Sequence, residues 1–121
     1  MGIGVPGALA AKLAHPDRQV VTITGDAGFL MNSQEIETAL RLGLSFVIPV
    51  WTDSKYGLIK WHQDRRFGRE SHIDFKNPDF VQYAESFGAR GFRVDSTEQL
   101  APVLREALSS GTVALSTMPR T

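Results

Sequence analysis

Short β-branched apolar runs alternate along this chain with longer stretches whose apolar positions recur every three or four residues, the pattern of strands exchanging with helices. The Ala- and Leu-rich run Pro6 to Ala14 predicts a helix. Pro6 suits its first turn, where a missing N–H has no intrahelical partner, and His15-Pro16 stops it. Gln19 to Thr24 reads as a buried parallel strand and Gly25-Asp26-Ala27-Gly28 as the loop leaving it. Asn32 or Ser33 is expected to cap the next helix, with Ile36, Ala39 and Leu40 on its inner face and Gly43 closing it. Phe46 to Trp51 is the second buried strand, despite Pro49, which removes a ladder donor and prefers edges or bulges. Thr52 to Gly57 then forms a loop and Leu58 to Arg66 a helix, while Gly68 to Pro78 is polar and aperiodic. Asp79 caps a helix that runs through Phe87 and ends at Gly88, with Phe80, Tyr83, Ala84 and Phe87 as core positions. Gly91 to Val94 is a short strand. Ser96 with Glu98 or Gln99 opens a helix to about Ser109, with Pro102 in or near its first turn, and Thr112 to Leu115 is the last strand. The sum is an α/β fold, a parallel sheet with helices on both faces in one domain spanning 1–121.

Composition narrows the chemistry. Thirteen Lys and Arg balance thirteen Asp and Glu, so the chain lacks the basic excess of a nucleic-acid binder. The absence of Cys excludes disulfides, thiolate zinc sites and iron–sulfur clusters. Apolar runs fall short of the roughly 18–20 residues that span a bilayer, and the N-terminus carries no secretory signal, so a cytoplasmic location without membrane contact is expected. His15 and His72 read as surface residues, Trp51 and Trp61 as core and interface. The mixed charges between Asp53 and Lys76 read as a solvated face or subunit contact. Met1-Gly2-Ile3-Gly4-Val5-Pro6-Gly7-Ala8 looks like site-building sequence, which points to an incomplete domain, a piece of a larger protein.

In open α/β sheets ligands bind beyond the carboxyl ends of the strands. Two loops leave such ends here, and each carries a carboxylate: Asp26 after the first strand and Asp53 after the second. Glycines in both loops let backbone N–H groups approach an anion. Two carboxylates beside an anion site repel unless a cation lies between them, and Mg²⁺ bridging to a diphosphate fits that need. Either Asp taken alone is equally consistent with a residue that merely bonds its own turn.

Gly25-Asp26-Ala27-Gly28-Phe29, followed twenty-seven residues after Asp26 by Asp53-Ser54-Lys55-Tyr56, resembles the motif of thiamine diphosphate enzymes. The opening Met1 to Ala8 is similar to the corresponding stretch of acetolactate synthases, and Tyr83-Ala84-Glu85-Ser86-Phe87-Gly88-Ala89 resembles their catabolic branch. The resemblance implies that Asp26, Asp53 and the backbone carbonyl of Lys55 are ligands of Mg²⁺. It implies that Gly25, Ala27 and Gly28 meet the diphosphate, and that Met1 lies beneath the thiazolium ring of thiamine diphosphate. Tyr56 and Gly57 then line the cofactor, and Leu58, Ile59 and His62 approach the reacting pyruvate. Ala27 departs from the usual Gly, tolerable where φ is negative, and Asp53 stands where Asn is commoner.

The implied reaction is decarboxylation of pyruvate and its joining to a second pyruvate, giving 2-acetolactate, with the hard chemistry carried by the cofactor. The family also needs an activating Glu from another domain of a partner subunit. Glu35, Glu37, Glu70, Glu85, Glu98 and Glu106 all lie outside the matching motifs, so the chain by itself is expected to be inactive and to work in a homo-oligomer. Apolar surface is then expected to be exposed along Met1 to Leu9 and Leu58 to Trp61. Another carboligase or decarboxylase of the same cofactor class, or a non-catalytic phosphate-binding module, would share these two loops.

Overall fold

The computed structural model describes residues 1–119. Ten elements follow in order: α1 (Gly4–Ala14), β1 (Thr24–Gly25), α2 (Asp26–Leu30), α3 (Glu35–Arg41), β2 (Val47–Thr52), α4 (Gly57–Phe67), α5 (Phe80–Ser86), β3 (Arg90–Arg93), α6 (Thr97–Leu108) and β4 (Ala114–Pro119). The four strands are parallel, in the order β1-β2-β4-β3. Alternation of side chains along each strand divides the core in two. Ile48, Val50, Val113 and Leu115 face Val5, Ala8, Phe29, Ile36, Ala39, Phe80 and Ala84, which come from α1, α2, α3 and α5. Val47 and Ala114 face Ala107, Leu104 and Leu108 of α6. Helices therefore cover both faces, as the sequence pattern predicts.

Pro49 lies in an interior strand, and the sheet accommodates it at a price in pairing. On its β4 side β2 is paired without interruption from Val47 to Thr52. On the β1 side, Val47 N–H donates to Val20 O (3.0 Å) and Thr22 N–H to Val47 O (2.9 Å), and the next β2 residue facing that way is Pro49, which has no N–H. The ladder resumes only at Thr24 and Val50, so β1 is two residues long where six were expected. Nor is that strand buried throughout: Val21 and Ile23 are 46% and 66% exposed, because β1 is an edge and α6 packs over β2, β3 and β4.

Three other expectations need correction. Neither Asn32 nor Ser33 caps α3; the Asn32 amide donates to Gly2 O (3.0 Å), and Ser33 Oγ bonds the Tyr83 hydroxyl (2.7 Å). Residues after Gly25 are not a loop but the short helix α2, which contains Ala27. The last strand lies later than expected, Ala114–Pro119 against Thr112 to Leu115, while Pro102 sits near the first turn of α6, on its exposed side, as expected. Asp79 does cap α5, accepting from Val81 N–H (2.9 Å) and Gln82 N–H (3.2 Å). At Gly91 a Cβ would lie 2.7 Å from the Val81 carbonyl oxygen, so only glycine lets β3 lie this close to α5.

Candidate functional site

The carboxyl ends of β1 and β2 open into a cleft of about 550 Å³. Asp26 begins α2 directly after β1 and is only 2% exposed. Its Oδ1 accepts from Ala27 N–H (2.9 Å), and its Oδ2 from Asp53 N–H (3.1 Å), Ser54 N–H (2.8 Å) and Asn77 Nδ2 (2.7 Å). One carboxylate thus fastens the loop after β2 to the start of α2. Ser54 is drawn into the left-handed region (φ 56°) to aim its N–H there, a conformation a non-glycine residue adopts only when its surroundings over-determine it.

Charge at this point is unbalanced. All four donors to Asp26 are neutral amides, and among the described residues none of the ion pairs involves it. Asp53 lines the same cleft, its Oδ1 accepting from Lys55 N–H (3.1 Å). Lys55, which lines the same cleft, turns its Nζ to Asp74 at 2.8 Å, and that hydrogen bond, with the attraction of Asp74, raises its pKa. Asp26 and Asp53 bring two carboxylates of hard oxygen donors to one cleft, and such a pair suits a small divalent cation that fills its other positions with carbonyl, phosphate and water oxygens. Among the described residues no group of three or more His, Cys, Asp or Glu is placed to hold a metal alone, so further oxygens must come from backbone or ligand.

Room for an anion lies alongside. A Cβ built on Gly25 would meet nothing within 4 Å, so backbone borders open space there. The first turn of α4 carries no acidic residue and its N-cap, Tyr56, makes no side-chain cap, so the positive end of an eleven-residue helix reaches the cleft at Gly57 and Leu58. Ala27 is absent from the residues with positive φ, so its methyl group is accommodated within α2. Met1 also lines the cleft, and the backbone of the glycines that follow it is closely packed. A Cβ on Gly2 would come within 2.8 Å of the Asn32 amide and one on Gly4 within 3.3 Å of Thr24 Cβ, while Thr22 Oγ1 donates to Gly4 O (3.1 Å).

Eleven of the twelve residues singled out in the sequence line this cleft: Met1, Gly25, Asp26, Ala27, Gly28, Asp53, Lys55, Tyr56, Gly57, Leu58 and Ile59. The twelfth, His62, stands one turn further along α4 in a separate shallow depression with Trp61, Arg65 and Arg66, its ring 4.8 Å from that of Trp61. Ile23, Thr24 and Trp51 complete the lining and were not anticipated as site residues, nor was Asn77, which lies behind Asp26. Alternation along the first two strands could have supplied the lining residues; no pattern in the sequence brings Asn77 to Asp26.

Residues 1–117 match the family described as "Thiamine pyrophosphate enzyme, C-terminal TPP binding domain". The chain is 46% identical over 110 residues to an acetolactate synthase of Bacillus subtilis (strain 168), covering 91% of this chain and 19% of that protein. It is 40% identical over 119 residues to a catabolic acetolactate synthase of Raoultella terrigena, covering 98% and 21%. Its fold superposes with a TM-score of 0.92 on a thiamine diphosphate-dependent 4-hydroxybenzoylformate decarboxylase of Rhodococcus jostii RHA1, at 28% identity and covering 100% of this chain and 23% of that one. The chain thus spans about a fifth of the length of the curated relatives named here.

Proposed function

This chain belongs to the C-terminal TPP-binding domains of thiamine pyrophosphate enzymes, and from that premise we propose that it is the cofactor-holding part of an acetolactate synthase. The observation that carries the proposal is the convergence of Asp26 and Asp53, from the ends of neighbouring strands, on one cleft where Asp26 has only neutral donors.

In this reading Asp26, Asp53 and the Lys55 carbonyl hold Mg²⁺. Open backbone at Gly25, with Ala27 and Gly28, and the first turn of α4 receive the diphosphate oxygens. Met1 props the cofactor, and Tyr56 and Gly57 line it. Leu58 and Ile59 give the cleft an apolar wall that excludes water from the reacting pyruvate. His62, one turn beyond Leu58 on α4, opens onto the neighbouring depression rather than this cleft and is given no contact with the cofactor in this reading. When bound, thiamine diphosphate supplies the electron sink for decarboxylating pyruvate and joining the remaining two carbons to a second pyruvate. The proton transfer that prepares the cofactor needs a Glu from a partner domain or subunit of a homo-oligomer. Identities of 40–46% to acetolactate synthases favour this reaction over a plain decarboxylase.

Titration calorimetry tests the site. Thiamine diphosphate is expected to bind with Mg²⁺ present and to be released by EDTA, and Asp26→Asn to abolish binding; cation-independent binding overturns the reading. Incubated alone with thiamine diphosphate, Mg²⁺ and pyruvate, the 121-residue chain is expected to yield no acetolactate. Product formation there would refute the need for a partner's Glu.

A further inference from the structure

Asn77 belongs to no motif, yet its amide is the shortest contact the Asp26 carboxylate makes. We infer that Asn77 is a positioning residue, holding Asp26 so that it presents a single oxygen lone pair to the divalent cation and thereby favours Mg²⁺ over larger ions. The inference rests on the assignment of Asp26 as a cation ligand.

The orientation of the amide follows from charge. Nδ2 lies 2.7 Å from Asp26 Oδ2 and 3.1 Å from Ser54 Oγ, and an amide oxygen could not sit that close to a carboxylate. Asn77 Oδ1 is consequently buried without a hydrogen-bond partner. An unpaired buried acceptor costs stability, and the site retains it for what the other end of the amide does.

The count of lone pairs shows what that is. A carboxylate offers about four acceptor positions, two on each oxygen. Oδ2 already receives three donors, whereas Oδ1 receives only Ala27 N–H, leaving one position open. A carboxylate so held is a one-oxygen ligand. Mg²⁺ demands near-octahedral geometry with single-oxygen ligands, whereas Ca²⁺ readily takes both oxygens of a carboxylate. Without Asn77, Oδ2 keeps the Asp53 and Ser54 N–H donors but is no longer crowded by a third, so a larger cation can approach it as well as Oδ1.

Asn77 is itself held firmly, although it lies in a segment without regular structure. Upstream, Phe75 N–H donates to Ser54 O (3.1 Å), Tyr56 N–H to Ile73 O (2.9 Å), and Ile73 is buried. Downstream, Asp79 caps α5 and pairs with Arg93 at 2.8 Å. The segment that carries Asn77 is thus stitched to the loop after β2 on its upstream side and anchored to α5 and β3 on its downstream side.

The test is Mn²⁺ binding to the protein, followed by electron paramagnetic resonance with thiamine diphosphate present and with Mg²⁺ or Ca²⁺ as competitor. Asn77→Ala is expected to lose about 10–100-fold in Mg²⁺ affinity, the usual effect of removing a group that orients a metal ligand, and to lose distinctly less for Ca²⁺. Asn77→Ser, which keeps one donor, should fall between, and it is read by the same criteria if Asn77→Ala does not fold. Wild-type affinities in the folded variants, or equal losses for the two cations, overturn the inference. Failure of the unsubstituted protein to bind Mn²⁺ would instead overturn the assignment of Asp26 as a ligand.

Discussion

Ser54, in the loop after β2, and Gly25, at the end of β1, show how differently two residues beside the site answer to the fold and to the ligand. Ser54 has φ 56° because its N–H and that of Asp53 both converge on Asp26. A β-branched side chain resists that conformation, so Ser54→Val should lower unfolding stability by about 2 kcal/mol in denaturant titration, while Ser54→Gly stays near neutral. Gly25 has φ −81° and ψ 159°, which any residue adopts, and nothing stands near its missing Cβ. Gly25→Ala should therefore leave stability within about 0.5 kcal/mol yet weaken thiamine diphosphate binding by about tenfold or more, the methyl group occupying space meant for the diphosphate. A parallel loss of stability would show that glycine serves the fold instead.

Elements here are set by contacts at their ends and backs as much as by their own periodicity. The Val81 carbonyl oxygen stands 2.7 Å from where a Gly91 Cβ would be, so Gly91→Ala should cost about 1–3 kcal/mol by pushing β3 away from α5, measured as a shift in the denaturation midpoint. At the start of α5, hydrogen bonds from Gln82 N–H and Val81 N–H, with Arg93 nearby, lower the Asp79 pKa below its ordinary 3.8. A carboxyl group with a depressed folded-state pKa stabilises the fold above its unfolded pKa, and the contribution disappears as pH falls through the folded value. Thermal melts of the wild type and Asp79→Asn should differ at neutral pH and converge once pH falls below the ordinary carboxylate range. A difference that survives there would mean the ionised carboxylate is not what caps the helix.

Over the whole molecule, apolar surface gathers around the cleft: Met1 (73% exposed), Ile3 (76%), Ile23 (66%), Leu58 (70%), Ile59 and Trp61. Only part of the expected Met1 to Leu9 stretch is exposed, since Val5 and Ala8 pack into the core. Such a surface seeks a partner. Sedimentation of the 121-residue chain at rising concentration should show self-association together with binding of a hydrophobic dye, and a strictly monomeric, dye-silent chain would count against it. No helix among the described residues is long and apolar enough to cross a membrane.

Local order was written plainly in this sequence. Asp79 as a cap and Gly43 and Gly88 as stops mark their helices within a residue or two, because those signals act between neighbours along the chain, while the β-branched runs locate the strands but not their ends. The paired loops were legible for a related reason: the carboxyl ends of adjacent parallel strands share an edge, so Asp26 and Asp53 had to arrive together. Tertiary packing decided the rest. Asn32 and Ser33 were drawn from capping duty by Gly2 and Tyr83, partners 30 and 50 residues away. Pro49 took an interior position because one flank of β2 could surrender a rung while the other stayed paired. Asn77 reached Asp26 across 51 residues through a segment with no period of its own. Contacts of that span depend on how the sheet brings distant segments together, which no local pattern encodes.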